Sequence, residues 1–408
     1  MTKSIASAEW AKRPGLAELI AALDGKARFV GGAVRDTLLG LAVKDIDVAT
    51  PLLPEDVMDR LAAVSIKTVP TGIAHGTVTA VLPEGPVEIT TLRRDVSTDG
   101  RRATVAFSDD WKEDAARRDF TINALSADPG TLQIFDYFGG LDDLDNLRIR
   151  FIGAAAERIA EDHLRIMRYF RFLARFGQHQ VDGEAFAACT AAAAKLETLS
   201  RERVADELLK LLATEDPRFA VSQMLDGGIF RHIVESLDPN AGKMVDRLVE
   251  REQRYQLKPV AIRRLVALLP KDSEKANLIA KSLKLSRKQQ RAIGERLLGA
   301  QEFHVSEAAT GLADIRGFAY RTSVDSARDA ALLFADDTDL PELLNALDGW
   351  QPPVFPLTGG DLIERGLKPG PLVAKTLAKI ETAWIAQGFP DEEWIRKFIK
   401  EQALTRQP

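Results

Sequence analysis

Asp45 and Asp47, separated by Ile46, have a spacing that suggests chemistry. Side chains alternate along a β-strand, so on a predicted strand both carboxylates face one side while Ile46 faces the core. Paired carboxylates supply the hard oxygen ligands that Mg²⁺ prefers, and Mg²⁺ can activate an attacking hydroxyl and hold triphosphate oxygens in line. A solvated strand edge or turn is the competing interpretation.

Glycine and arginine residues lie just upstream of this pair. Gly31 and Gly32 follow a predicted strand and precede a predicted helix that carries Arg35. Glycine there lets backbone amides approach a phosphate closely, although two adjacent glycines after a strand are more often just a tight turn. Glu88, on a neighbouring predicted strand, could supply a third carboxylate or could simply be a polar residue that an alternating strand exposes.

Arg118 and Asp119 immediately precede the apolar segment 120–125. Arg118 could bind triphosphate through two parallel hydrogen bonds, with Asp119 as a structural partner or a sugar contact. A surface salt bridge is the alternative for this pair.

Residues 161–171 have the periodicity of a helix with a polar stripe of Asp162, Arg165, Arg168 and Arg171. An intrahelical ion pair between Asp162 and Arg165 is one interpretation, worth only about 0.3–0.5 kcal/mol. The other is base recognition. Cytosine and adenine both present an amine donor beside a ring-nitrogen acceptor, and a carboxylate and a guanidinium complement these two groups. Uracil and guanine instead place a carbonyl opposite the carboxylate and an N–H opposite the guanidinium. Such a site selects C and A without a nucleic-acid template.

Six motifs occur in a fixed order: GGAVRD at 31–36, KDID at 44–47, EITTLR at 88–93, RRDFTINA at 117–124, EDHLR at 161–165 and SRERVADELL at 200–209. Together they resemble the class II tRNA nucleotidyltransferase and bacterial poly(A) polymerase family, and in particular the class II CCA-adding enzymes.

The resemblance implies a role for each matched position. It implies two metal ions on Asp45 and Asp47, nucleotide contacts from Gly32, Arg35 and Arg118, and base reading by Asp162 and Arg165. Arg168 and Arg171 would approach the phosphate or base of the nucleotide from the same face. The last motif is expected to buttress the base-reading helix, and we predict a helix-stabilising ion pair between Arg203 and Glu207, which are four residues apart.

The activity implied is addition of C and A to the 3′ end of tRNA from CTP and ATP, with release of pyrophosphate. Poly(A) polymerase activity of the same family is the nearest alternative, since adenine fits the same pair, but the last nine residues lack the basic extension typical of those enzymes. Two further alternatives are an enzyme that adds only C or only A, and a non-catalytic RNA-binding protein whose polymerase-like head has lost its activity. Retention of both acids and both arginines argues against the last. With five histidines and no His-Asp dipeptide, an added phosphohydrolase activity is not expected.

The pattern of elements predicts an α+β fold with three regions. Residues 1–140 form a polymerase-β-like catalytic head, 141–215 a helical neck with the base-reading helix, and 216–408 a helical body and tail that bind tRNA. Within the head we predict a hairpin of strands 78–82 and 87–91, and a polar mobile loop at 96–110. One continuous helix is predicted for 154–176. Four residues of the body form either a basic ridge for an acceptor stem or an ordinary solvated face: Lys281, Lys284, Lys288 and Arg291.

Composition is typical of a folded globular protein, with 408 residues of which 45% are hydrophobic and 28% charged. The net charge of −5 means that a polyanion must meet local basic patches. The single cysteine, Cys189, excludes an internal disulfide and is expected to be a buried apolar residue. With no run of signal-peptide or membrane-span length, we expect a cytoplasmic protein without membrane contact, and its oligomeric state stays open.

Overall fold

The structure is a computed structural model that describes Ile5 and residues 8–99, 102–177, 180–306 and 314–401. The chain divides into two compact units, Met1–Ile233 and Val234–Pro408. The first unit combines a mixed sheet with helices and the second is helical, so the predicted α+β class is confirmed. Among the described residues, no helix is long and apolar enough to cross a membrane.

Strands occur only in the first unit among the described residues. They are β1 (Arg28–Val30), β2 (Ile46–Thr50), β3 (Thr68–Gly72), β4 (Thr77–Leu82), β5 (Gly85–Thr91), β6 (Arg93–Asp99), β7 (Arg102–Phe107), β8 (Ser126–Ala127) and β9 (Ile134–Phe135). A seven-stranded sheet has the order β3-β4-β5-β2-β1-β8-β9, and β6 pairs with β7 in a separate ribbon. Strand β2 is parallel to β5, whereas the other pairs are antiparallel.

The helices of the first unit are α1 (Leu16–Ala22), α2 (Gly32–Leu38), α3 (Pro54–Ala63), α4 (Trp111–Ala116), α5 (Gly140–Asp145), α6 (Ala155–Glu161), α7 (Arg165–Phe176), α8 (Gly183–Ala192), α9 (Arg201–Leu212) and α10 (Arg218–Asp226). Short 3₁₀ helices occur at Glu9–Lys12, Ile73–His75, Thr121–Asn123, Ala193–Thr198 and Ile229–His232. Cys189 on α8 is buried as expected, and burial raises the pKa of its thiol.

The second unit contains α11 (Ala241–Arg254), α12 (Ala261–Leu268), α13 (Ser273–Ser282), α14 (Arg287–Ser306), α15 (Ile315–Arg321), α16 (Val324–Phe334), α17 (Leu340–Leu347), α18 (Gly359–Glu364), α19 (Pro371–Ala386) and α20 (Glu392–Glu401). The four residues of the predicted basic ridge are all exposed here. They do not share one helix, because α13 ends at Ser282 and Lys284 adopts a positive φ of 52°. Arg291 pairs with Glu295 at 2.7 Å, as residues on a solvated helix face do.

The predicted hairpin is confirmed as β4 and β5, which pair from Thr77↔Thr90 to Leu82↔Gly85. The predicted loop at 96–110 is wrong, because β6 and β7 form an antiparallel ribbon from Arg93↔Phe107 to Asp99↔Arg102, and residues 100 and 101 lie outside the described part. Backbone hydrogen bonds hold a two-stranded ribbon together, so it needs no alternation of apolar residues that a sequence could reveal.

The predicted helix over 154–176 is also wrong in one respect, because the chain breaks between α6 and α7. Asp162 has φ −148° and ψ 105°, which is extended backbone, and one of its carboxylate oxygens accepts a hydrogen bond from the amide of Leu164 at 3.0 Å. Such a side-chain to backbone bond offers the chain an alternative to helix at this point. The apolar side of α7 is as predicted, with Ile166, Phe170 and Leu173 buried.

Candidate active site

The acids that the sequence singles out lie at the parallel junction of β2 and β5. Asp47 on β2 is the direct ladder partner of Glu88 on β5, so the two side chains share one face of the sheet. Asp45 is not on the strand as predicted, because β2 begins at Ile46, and it lies in the preceding loop. Burial, together with the negative charges of Glu88 and Asp45, raises the pKa of Asp47, although Arg118 opposes the shift.

Two adjoining clefts meet at these acids. The first cleft has a volume of about 460 Å³ and contains most of the predicted site: Gly32, Arg35, Asp47, Glu88, Arg118, Asp119, Asp162, Arg165 and Arg168. The second cleft, of about 720 Å³, contains the remaining two predicted residues, Asp45 and Arg171. Gly32, Arg35 and Asp47 line both. The fold thus brings together residues that are more than 120 positions apart in the chain.

The glycine turn makes room for Arg118. Gly31 has a φ of +64°, and a Cβ atom there would lie 2.8 Å from a guanidinium nitrogen of Arg118. The positive φ favours glycine at this position, and an added Cβ would displace the end of the Arg118 side chain. Arg118 donates to the carbonyl of Asn123 at 3.3 Å and lies 3.6 Å from Asp114 on α4, so its guanidinium is held over the turn.

Asp119 connects the segment after α4 to helix α7. Its buried carboxylate lies 2.5 Å from the Arg168 guanidinium, and it accepts 2.9 Å hydrogen bonds from the Asn123 side chain and the Phe120 amide. Burial alone would raise the pKa of Asp119, but Arg168 and these donors bring it below its usual value. Of the two roles considered for Asp119, the contacts match a structural partner.

Substituting Asp119 with Asn is expected to lower the free energy of unfolding at pH 7 by about 3 kcal/mol, because Arg168 would lose its buried counter-charge. The folded-state pKa of Asp119 lies below the ordinary 3.8. Its ionised pair therefore contributes fully above that value, and the contribution is lost as the pH falls from there through the folded pKa. The difference in free energy of unfolding between wild type and variant, measured by urea unfolding, should become smaller from pH 5 to pH 3. A difference that is constant over this range would contradict the assignment.

Arg35 lines both clefts, although most of its side chain is buried beside this group. It pairs with Asp36 at 2.7 Å and donates to the side chain of Asn123 at 2.5 Å, while its guanidinium lies 4.7 Å from the ring centroid of Phe176. Burial lowers the pKa of Arg35, and nearby Arg175 adds to that shift. Asn123 thus contacts both Arg35 and Asp119, a role that the sequence reasoning missed. The signal available was a lone amide inside an otherwise apolar segment.

Asp162 and Arg165 both line the first cleft, but they are not neighbours on one helix as predicted, since the helix breaks between them. Each is held by another partner. Asp162 accepts from Arg203 of α9 at 2.9 Å. Arg165 pairs with Glu161 at 2.5 Å and donates to the backbone carbonyl of Arg117 at 3.1 Å. The intrahelical ion pair between Asp162 and Arg165 that competed with base recognition is not the arrangement found.

The predicted ion pair between Arg203 and Glu207 is wrong. Both residues lie on α9, but each contacts another element of the fold. Arg203 binds Asp162. Glu207 is buried and lies 2.6 Å from Arg171 and 4.0 Å from Arg168. A pair within one helix is worth little, whereas contacts to α7 and to the helix break fix the positions of site residues. Charge pairs from α9 therefore support α7 and the segment around Asp162.

On the base-reading role that the resemblance implies for Asp162, substituting Arg203 with Ala is expected to lower kcat/KM for both CTP and ATP about 10-fold, because Asp162 would lose the charge-assisted hydrogen bond that orients it. The preference for CTP over UTP should fall as well. Arg203→Lys, which keeps the charge, should recover part of both losses. An Arg203→Ala protein whose CTP to UTP preference is unchanged would show that Arg203 supports only the fold.

Two family models match the chain. Residues 27–150 match the "Poly A polymerase head domain", and residues 180–240 match the "Probable RNA and SrmB- binding site of polymerase A". The first match includes the acids, the glycine turn and Arg118.

Relatives match along most of the chain. Mouse mitochondrial CCA tRNA nucleotidyltransferase 1 is 33% identical over 387 residues, which is 93% of this chain and 87% of the mouse protein. A CCA-adding enzyme of Streptococcus pyogenes is 33% identical over 387 residues, covering 93% of this chain and 94% of that enzyme.

Solved structures show the same architecture. The Bacillus stearothermophilus CCA-adding enzyme in complex with CTP superposes with a TM-score of 0.71 at 26% identity, covering 96% of this chain and 99% of that one. The Thermotoga maritima CCA-adding enzyme complexed with tRNA shares the fold, with a TM-score of 0.71 at 21% identity and 98% coverage of both chains.

Proposed function

The chain belongs to the CCA tRNA nucleotidyltransferase family, and from that premise we propose which of its residues carry the reaction. The protein adds C and A to the 3′ end of tRNA from CTP and ATP, without a nucleic-acid template and with release of pyrophosphate. The observation that supports our residue assignment best is that Asp47, Arg118, Asp162 and Arg165 line a single cleft.

Asp45 and Asp47 are the residues that would hold divalent metal, which we take to be Mg²⁺. Burial, together with the negative charges of Glu88 and Asp45, raises the pKa of Asp47, and a bound cation would offset that cost. No set of three or more His, Cys, Asp or Glu side chains within the described part of the chain is arranged to hold a metal ion. Mg²⁺ is commonly bound by one or two carboxylates plus substrate phosphates and water, so the two acids suffice and Glu88 is a possible third ligand. Bound Mg²⁺ would supply charge stabilisation to the phosphates and acidity to the attacking hydroxyl.

The arginines of the first cleft neutralise the triphosphate. Arg118 is held over the glycine turn with about a quarter of its side chain exposed, at 28%. Arg168 lies beside it in the same cleft, and together the two guanidiniums can stabilise charge that develops as pyrophosphate leaves. Gly32 lines both clefts, where its backbone can approach phosphate closely. Arg35 contributes indirectly, because its buried guanidinium donates to the Asn123 side chain and so holds the turn in place.

Asp162 and Arg165 read the base. The Arg203 and Leu164 contacts of Asp162 leave carboxylate lone pairs for the amine of cytosine or adenine. The contacts of Arg165 with Arg158, Glu161 and Arg117 engage three of its five donors, so donors remain for a ring nitrogen. Because both groups are pinned before the nucleotide arrives, the site is rigid enough to reject U and G.

We further propose that residues 1–140 act as catalytic head, 141–215 as neck and 216–408 as body and tail that grip tRNA. The exposed ridge of Lys281, Lys284, Lys288 and Arg291 is the segment we assign to backbone phosphates. The buried lone cysteine supports a reducing compartment such as the cytoplasm. Mitochondrial proteins among the relatives are compatible with the same chemistry in another reducing compartment.

The test of this function is product length. A tRNA lacking its last three nucleotides is offered with each NTP singly and with CTP plus ATP, in Mg²⁺, and the products are sized. Two added nucleotides with CTP alone and three with the mixture are expected, whereas UTP and GTP should give none. A long adenosine ladder would instead identify a poly(A) polymerase. Binding without pyrophosphate release would identify a non-catalytic RNA-binding protein.

A further inference from the structure

Asp114 lines the first cleft but has no role in the function proposed above. It lies on α4, is buried with 7% of its surface exposed, and shares the cleft with Arg118. A carboxylate beside a bound triphosphate repels it, so the charge of Asp114 opposes the anion that the cleft is proposed to hold. Its contribution must therefore come through the groups that it contacts.

The two carboxylate oxygens of Asp114 have different neighbours. One accepts a hydrogen bond from the backbone amide of Arg93 at 3.3 Å, and the other lies 3.6 Å from a guanidinium nitrogen of Arg118. A separation of 3.6 Å is longer than a hydrogen bond, so the attraction to Arg118 is one of charge. The amide of Arg93 thus fixes the carboxylate, and the carboxylate determines where the guanidinium is held.

Cation–π contacts anchor the start of α4. The guanidinium of Arg28 on β1 lies 4.2 Å from the ring centroid of Trp111, the first residue of α4, and 3.6 Å from that of Phe135. Arg28 also donates to the hydroxyl of Tyr137 at 2.9 Å. Trp111 packs in turn against a small buried cluster: Val30, Ala49 and Leu92. Asp114 is three residues after Trp111, one turn along the helix, so an anchored Trp111 also fixes Asp114.

We propose that Asp114 is a positioning residue, anchored by Arg28 through Trp111, that directs the Arg118 guanidinium toward the triphosphate of the incoming nucleotide. The inference rests on the proposed assignment of Arg118 to the triphosphate. It gives a role in nucleotide binding to a buried acid of the cleft and to Arg28, which lies outside both clefts.

Arg118 has competing acids in the same cleft. Burial and the charge of Glu88 raise the pKa of Asp47, whereas the charge of Arg118 lowers it, so Arg118 and Asp47 are close enough to interact. Without Asp114, the guanidinium would be drawn toward Asp47 and Glu88. It would then be neutralised by the acids proposed to hold metal and be less available to phosphate. Asp114 therefore keeps Arg118 apart from those acids.

Asp114 has two effects on nucleotide affinity, and they have opposite signs. As a charge it repels the triphosphate, so its removal alone would tighten CTP binding. As a positioning residue it strengthens the contact between Arg118 and phosphate, so its removal weakens CTP binding. The second effect dominates, because a guanidinium–phosphate contact depends on direction and because Arg118 compensates the charge of the carboxylate.

The experiment measures the dissociation constants of CTP and of cytidine, in Mg²⁺ and without tRNA. Cytidine carries the same base and ribose but no phosphate. In Asp114→Asn the constant for CTP is expected to rise about 10-fold, and that for cytidine should stay the same. Asp114→Glu, which keeps the charge, should recover part of the loss. Glu113→Gln changes an exposed acid of α4 outside both clefts, so it is the matched control and should bind CTP as wild type does.

Arg28→Met tests the anchor at a distance from the cleft. It should raise the constant for CTP about 3-fold and leave that for cytidine unchanged, because the loss of the cation–π contacts loosens α4. A double-mutant cycle then tests whether both residues act through Arg118. In an Arg118→Ala background, neither Asp114→Asn nor Arg28→Met should weaken CTP binding further.

Several results would overturn the inference. If Asp114→Asn tightens CTP binding, the carboxylate acts only as an opposing charge. If it weakens CTP and cytidine by the same factor, Asp114 supports only the fold. An unchanged constant for CTP, or a loss that persists in the Arg118→Ala background, would show that Asp114 does not act through that arginine.

Thermal unfolding checks the fold of each variant, and Arg28→Met keeps the inference testable if Asp114→Asn fails to fold. Failure of the proposed function is a separate outcome. Arg118→Ala alone would then bind CTP as tightly as the wild-type protein does.

Discussion

Asp47→Asn is expected to lower kcat for CTP and ATP addition by about 10³-fold or more. The substitution keeps the size of the side chain but removes a carboxylate that holds divalent metal against the reacting phosphate, and metal stabilisation of that charge is worth several kcal/mol. Single-turnover addition to tRNA lacking its last three nucleotides, with Mg²⁺ in excess, measures the effect.

The same variant should keep its fold. The raised pKa of Asp47 means that ionising it in the folded protein is unfavourable, and a neutral amide removes that cost. Thermal unfolding without Mg²⁺ should therefore be no lower than in wild type, whereas stabilisation by added Mg²⁺ should be lost. Asp59→Asn, an exposed acid on α3, is the matched control and should retain activity. An active Asp47→Asn protein would remove the basis of the proposed metal site.

Asp162→Ala is expected to lower kcat/KM for CTP and ATP about 10²-fold and to change the choice of base. A site that hydrogen-bonds particular groups can reject analogues by about 10⁴-fold, and most of that selectivity depends on the groups themselves. Without the carboxylate, U and G no longer meet an acceptor opposite their carbonyls. The preference for CTP over UTP should accordingly fall toward about 10², measured as the ratio of the two kcat/KM values.

Asp226→Ala, on α10 and outside both clefts, is the matched control for this change. It should alter neither the rate nor the preference. If Asp162→Ala slows all four nucleotides by the same factor, Asp162 positions the cleft without reading the base. Comparison with Arg203→Ala then separates the two residues, because loss of the positioning arginine should have the smaller effect.

The sequence determined which chemistry is present, because the chemistry depends on residue types at short spacings. Asp45 and Asp47, the glycines before Arg35 and the pair Arg118–Asp119 each lie within one short segment, and the two acids are only two positions apart in the chain. The apolar face of α7 was likewise predictable, since its periodicity is a local property.

Only the tertiary structure decided how the charged side chains are paired. Spacing alone favours pairs within a helix, yet Asp162 binds Arg203, which is 41 residues away, and Arg168 binds Asp119, which is 49 residues away. A long charged side chain reaches any partner that packing brings within about 3 Å, and burial makes a pair between elements stronger than an exposed pair along one helix. The break at Asp162 has the same origin, because its carboxylate is satisfied by Leu164 and Arg203 together. Sequence distance carries no information about those contacts, whereas the packing of α7 against α9 and against Phe120 supplies it.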